Sequence, residues 1–223
     1  MADFDSTDLL ARLKATLQIE SNTADASDAS LYTLLSNGQR RMAQIIAAVA
    51  PDVNMLALET LTSSDSGETY ALTYYPLSNL ELYDGDPNGF PIPPVGYGAN
   101  QFDGYVLEGK TIRWAGGRSR TFGNGLYARY NRVPAAISAS SEPSLKPEDG
   151  RQGIVYAAAE EFASQGGAMD PAPYAMLLRR FLYGDREIPG DIGLIGRVQT
   201  NSRLRKRPDG HRFTPWWRGP DFR

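Results

Sequence analysis

The 223-residue sequence has no cysteine and a single histidine. The first absence excludes disulfides, thiolate nucleophiles and sulfur-ligated zinc; the second excludes every metal site built on several imidazoles. No apolar run approaches the ~20 residues that a membrane-spanning helix requires. The acidic start MADFDSTD also lacks the basic and apolar regions of a secretory signal. These absences lead to the expectation of a protein that is intracellular or assembled from the cytoplasm, with no cofactor and no membrane partner. What is present, including 41% hydrophobic residues, suffices for one or two domains with a real core.

The net charge of −3 conceals an uneven distribution. Residues 1–100 carry 13 acids and 4 bases, a net of −9, and residues 101–223 carry 13 acids and 19 bases, a net of +6. The stretch from Arg197 to Arg223 has 8 bases against Asp209 and Asp221, which is +6 by itself. The basic excess is therefore a tail, and it bears on partners rather than on fold.

Leu9, Leu10, Leu13 and Leu17, after the capping residues Asp5 to Asp8, predict a short amphipathic helix. Leu31 to Val49 keeps the same period and predicts a longer one, stopped by Pro51. From Tyr70 to Tyr75 the period becomes two, which predicts a strand; Lys110–Trp114 and Leu126–Asn131 read the same way. Between Pro76 and Gly104 the prolines, glycines and aromatics predict an ordered long loop or insertion. Helices are expected again after Pro147, near Asp170 or Pro173, and more weakly from Ile192 to Val198. The predicted class is α+β and mostly helical. It would have a helical bundle core, a small antiparallel β-sheet insertion and an extended C-terminal tail. In residue terms this is a core of 1–198, with helices in 5–50 and 147–198 and a β/loop region at 60–135, followed by a basic Trp-rich tail at 199–223.

Little in the sequence supports catalysis. Asp84, Asp86 and Asn88 match the first half of a calcium loop, but Val95 stands where a bidentate glutamate should close the sphere, and prolines replace the flanking helix. A turn is the preferred reading. Glu160 and Glu161 are neighbours on a helix and diverge by about 100°, so they read as a solvated face or a subunit contact rather than an acid/base pair. His211 has no candidate nucleophile near it, and no phosphate-binding or dinucleotide fingerprint is present. The expectation is a protein that is not an enzyme.

The tail combines Arg203, Arg205, Lys206 and Arg207 with Arg212, Phe213, Trp216, Trp217 and Arg218. Phosphate binding would use the cations alone, whereas a Trp pair among prolines and arginines suits anchoring on a protein. An extended strap over a neighbouring subunit accounts for both features. A rival class is another virion protein or a sugar- or peptide-binding module that uses Tyr74, Tyr75, Tyr83, Tyr97, Trp114 and Tyr127 as stacking platforms.

In order, the segments DLLARLKATL, DASLYTLLSNGQRRMAQIIA, LYARYNRVPAAISASSEPSLKPEDGRQGIVYAAAEEFA and PYAMLLRRFLYG resemble the head-to-tail adaptor (connector) proteins of tailed bacteriophages. The likeness lies in Asn37-Gly38-Gln39-Arg40 within the second helix, the Tyr-rich strand from Tyr127 to Pro134, and the acidic proline turns leading to Ala157-Ala158-Ala159. It covers roughly residues 5–60 and 125–198; Leu77 to Phe122 is longer and less regular than the family's usual hairpins. The resemblance implies a structural virion protein of the neck, assembled in the host cytoplasm as a ring, commonly a dodecamer. Its implied partners are the portal protein, neighbouring copies of itself, the next neck or tail protein, and genomic DNA passing through the channel without sequence-specific binding. The family has no catalytic residues.

Overall fold

A computed structural model describes residues 5–19, 26–49, 56–63, 67–87, 89–94, 104–114, 120–141, 143–145, 150–166, 169–185 and 187–204, with side chains except at 56, 78, 79 and 201–204. Helix α1 (Ser6–Leu17) starts where the Asp5 carboxylate accepts a hydrogen bond from the Asp8 N–H at 2.7 Å. Its four leucines fall on one buried face. Helix α2 (Asp28–Val49) is tied to α1 by the Lys14–Asp28 ion pair at 2.6 Å. It buries Leu31, Leu34, Leu35, Met42 and Ile46, as its period requires. Helix α3 (Arg151–Gly166) packs against α1, α2 and α4, and the small buried side chains of Ala157, Ala158 and Ala159 permit neighbours on several sides. Helices α4 (Ala172–Tyr183) and α5 (Gly193–Leu204) complete the helical part.

One close approach sets the spacing of α2 and α3. A Cβ on Gly38 would lie 2.6 Å from the Ile154 carbonyl oxygen and 3.2 Å from the Ala158 nitrogen, so a side chain there would force the helices apart. Beside it, Asn37 Nδ2 donates to Glu161 Oε1 at 2.8 Å, and Arg41 pairs with Glu160 at 2.7 Å. Gln39 is fully buried. Its amide donates to the Ala135 carbonyl at 2.8 Å and its Oε1 accepts from the Ser144 N–H at 2.7 Å. The connector from the sheet to α3 is thus fastened to α2 with the Gln39 amide satisfied on both sides. Ser36 Oγ adds an acceptor for the Ile137 N–H at 2.9 Å, and Arg151 donates to the Pro143 and Leu145 carbonyls.

The strands form two antiparallel sheets. The first orders β1 (Leu56–Leu61), β7 (Leu126–Arg132), β3 (Pro76–Asp84) and β4 (Pro91–Ile92); the second orders β2 (Thr69–Ala71), β6 (Thr111–Trp114) and β5 (Tyr105–Glu108). Leu126, Ala128 and Tyr130 of β7 alternate inward and share one apolar cluster with Leu82, Ile112 and Trp114, so the two sheets enclose a core of their own. A separate cluster joins all five helices.

This architecture corrects the expected one. The described residues are 45% helical and 22% strand, the strands build two sheets, and five helices do not make a helical bundle core with a small insertion. Two strands account for most of the difference. The stretch beginning at Pro76 reads as a loop because of its prolines, yet Pro76 is the first residue of β3 and Pro91 lies in the edge strand β4, two places where a missing N–H costs no ladder bond. Strand β1, Leu-Ala-Leu-Glu-Thr-Leu, has helix-forming composition and is held extended by pairing along its whole length with β7. Conversely, the strand expected over 70–75 stops at Ala71, and Tyr74 is exposed. Helix α5 runs to Leu204, six residues into the stretch read as tail.

Candidate functional site

Large apolar side chains left in solvent are the clearest mark of a binding surface. Among the described residues, nine are exposed, and five of them fall between Met176 and Ile192. Helix α4 causes this concentration. Its apolar residues Met176, Leu177, Leu178, Phe181, Leu182 and Tyr183 span more of the helix circumference than one core-facing stripe, and only Leu178 and Leu182 are buried. Met176 is 72% exposed and Tyr183 64%, and the linker to α5 adds Ile188 and Ile192.

Side-chain hydrogen bonds hold the described residues of the linker. Asp191 accepts from the Asp185 N–H at 2.8 Å and from the Gly193 N–H at 3.1 Å, which holds its carboxyl below the usual carboxylate range. Asp185 in turn pairs with Arg180 and accepts from the Glu187 N–H at 3.0 Å. Gly184 and Gly193 both have positive φ, and a Cβ on Gly193 would lie 2.3 Å from the Gly184 nitrogen, so the end of α4 and the start of α5 meet backbone to backbone.

Between α3, α4 and α5 this leaves a cleft of about 230 Å³ lined by Tyr156, Leu177, Arg180, Phe181, Asp191, Gly193 and Arg197. Tyr156 and Phe181 meet edge to face, with ring centres 6.0 Å apart. Arg197 Nε donates to the Gly193 carbonyl at 3.2 Å. The cleft brings together two guanidiniums, one carboxylate and two aromatic rings, one of them the Tyr156 phenol. It is smaller than the roughly 300–1,000 Å³ typical of small-molecule sites, and it matches one or two protein side chains.

The shifted titratable groups in the sheets serve the fold. Tyr130 Oη donates to Glu59 Oε1 at 2.7 Å and accepts from the Tyr74 N–H at 3.2 Å; burial, then the bond to Glu59, raises its pKa. Tyr83, buried and donating to Glu81, is pushed up to about 12.

The residues singled out in the sequence are placed as follows. Asp84 ends β3 and lies 3.8 Å from Arg120, while Asp86 donates its N–H to the Asp84 carbonyl and accepts from the Gly89 N–H, each at 2.9 Å, which is a turn. Asn88 lies outside the described residues, and among these no group of three metal-binding side chains forms. Glu160 and Glu161, both partly exposed, reach α2, where Glu160 pairs with Arg41 and Glu161 accepts from Asn37 Nδ2. Of the tail residues, Arg203 is carried by α5; Arg205, Lys206, Arg207, Arg212, Phe213, Trp216, Trp217 and Arg218 lie outside the described residues. Tyr83 and Trp114 are buried, and Trp114 packs against Tyr70 and Phe122. Tyr74 and Tyr75 are exposed but carry the Arg132 guanidinium and the Lys110 ammonium at 4.8 and 5.5 Å from their ring centres. Tyr97 lies outside the described residues. The outward residues Met176, Ile188 and Ile192 were not among those picked out in the sequence; the overly wide apolar arc of α4 is the signal that marks them. No described helix is long and apolar enough to cross a membrane. No family model matches the chain, and no curated protein matches it.

Proposed function

We propose that the chain is a structural virion protein, a head-to-tail adaptor that assembles as a ring beneath the portal of a tailed phage, connects capsid to tail and lets the genome pass. The observation that carries this reading is the exposed apolar surface of α4 and its linker. A subunit that buries such a surface only on assembly has this property. The resemblance in sequence order supports the same reading, and so does the acidic first hundred residues, which would repel a phosphate backbone and leave DNA free to slide. In this reading the chain is not an enzyme, its ring is a dodecamer, and Phe213, Trp216, Trp217 and the arginines around them engage the portal or a neighbouring subunit. The burial of Tyr83 and Trp114 and the cations on Tyr74 and Tyr75 favour it over a module that stacks ligands on its aromatics. Replacing both Trp216 and Trp217 with alanine should weaken binding to portal at least tenfold; unchanged affinity removes the strap from the account.

A further inference from the structure

The cleft between α3, α4 and α5 has a specific shape of demand. Tyr156 and Phe181 offer aromatic walls, Leu177 is 39% exposed at its edge, and Arg180, Arg197 and Asp191 stand around it. An indole meets all of these at once, since rings pack on its edge and face, guanidiniums stack on its π surface, and Asp191 can accept a hydrogen bond from the indole N–H. An arginine beside that indole would find Asp191 and the exposed Glu187.

The same chain carries such a segment on a tether of suitable length. Helix α5 begins at Gly193 in the cleft and ends eleven residues later at Leu204, about 16 Å away along its axis. From Leu204 to Trp216 is a further twelve residues, which can span up to about 40 Å. The return path is therefore shorter than the chain available, and such a tether holds its end at millimolar effective concentration. We propose that the cleft is the docking site for this chain's own C-terminal segment, Phe213 to Arg218. The Trp pair would pack on Tyr156, Phe181 and Leu177, and Arg212 and Arg218 would lie toward Asp191 and Glu187. The docking covers the exposed face of α4 in the free subunit and keeps two tryptophans out of water until a partner displaces them. It rests on the cleft and the tether, not on the adaptor reading, and would stand if that reading failed.

The absence of native cysteine makes a cross-linking test clean. In the full-length chain, the double variant M176C/R218C should form an intramolecular disulfide under mild oxidant, at a rate independent of protein concentration. Adding W216A and W217A in that background should slow it at least tenfold. Hydrogen exchange on chains without the added cysteines should show faster exchange of residues 176–192 in W216A/W217A than in wild type. The proposal is overturned by a cross-linking rate indifferent to the tryptophans, by no cross-link, by a cross-linked dimer as the main product, or by identical exchange in the two chains.

Discussion

The side-chain oxygen of Gln39 on α2 accepts the backbone N–H of Ser144 at 2.7 Å, across 105 positions of sequence. With the Ala135 carbonyl on its other side, this one amide closes the connector over the helical core. Gln39→Leu would remove the side-chain partner of the half-buried Ser144 N–H and of the carbonyl of the exposed Ala135. The expected loss is about 1–2 kcal/mol of unfolding free energy, read from the urea midpoint at unchanged slope.

Gly38→Ala tests the neighbouring device. The new Cβ would meet backbone atoms of α3, which cannot rotate away, and the expected cost is about 1–3 kcal/mol. Asn37→Ala, which removes only a half-exposed hydrogen bond to Glu161, should cost under about 1 kcal/mol by the same measurement. Equal losses in the two variants would contradict the close-approach account.

The sheet core predicts an alkaline limit. Tyr83 and Tyr130 hold their protons more tightly folded than unfolded, so their contribution is complete below pH 10, the ordinary tyrosine value, and is lost as pH rises through their folded values, about 12 for Tyr83. Stability should fall between pH 10 and 12, and Tyr130→Phe should flatten part of that fall while lowering stability at pH 7 by about 1–2 kcal/mol. A stability curve flat over that range, followed by circular dichroism, would count against the buried phenols.

These contributions also show what the sequence made legible. The helices were readable because each buries one periodic face, as Leu9 to Leu17 and Leu31 to Ile46 do. Strand β7 was readable from its alternation. Strand β3 was not, because Pro76 and Pro91 signal a loop locally and are tolerated only through their positions at a strand start and an edge, which are tertiary facts. The Asn37-Gly38-Gln39 motif stood out in sequence, but that its polar groups face α3 and the connector depends on residues about a hundred positions away. The outward face of α4 was hidden for the opposite reason, since an apolar residue in a helix reads as core until the burial of its neighbours is known.

Charging that outward face should separate folding from assembly. Met176→Asp with Tyr183→Asp changes two exposed side chains, so monomer stability should stay within about 0.5 kcal/mol per site. Ring formation, followed by sedimentation, should be lost. Rings that persist with both aspartates present would show that assembly uses a different surface.

The central claim is that this chain is an assembly subunit, and native mass measurement of the full-length protein with and without portal tests it most directly. The account predicts a closed ring bound to portal, with a mass that is an integer multiple of the 24.5 kDa subunit and the twelvefold multiple favoured. A persistent monomer that binds no portal would contradict it.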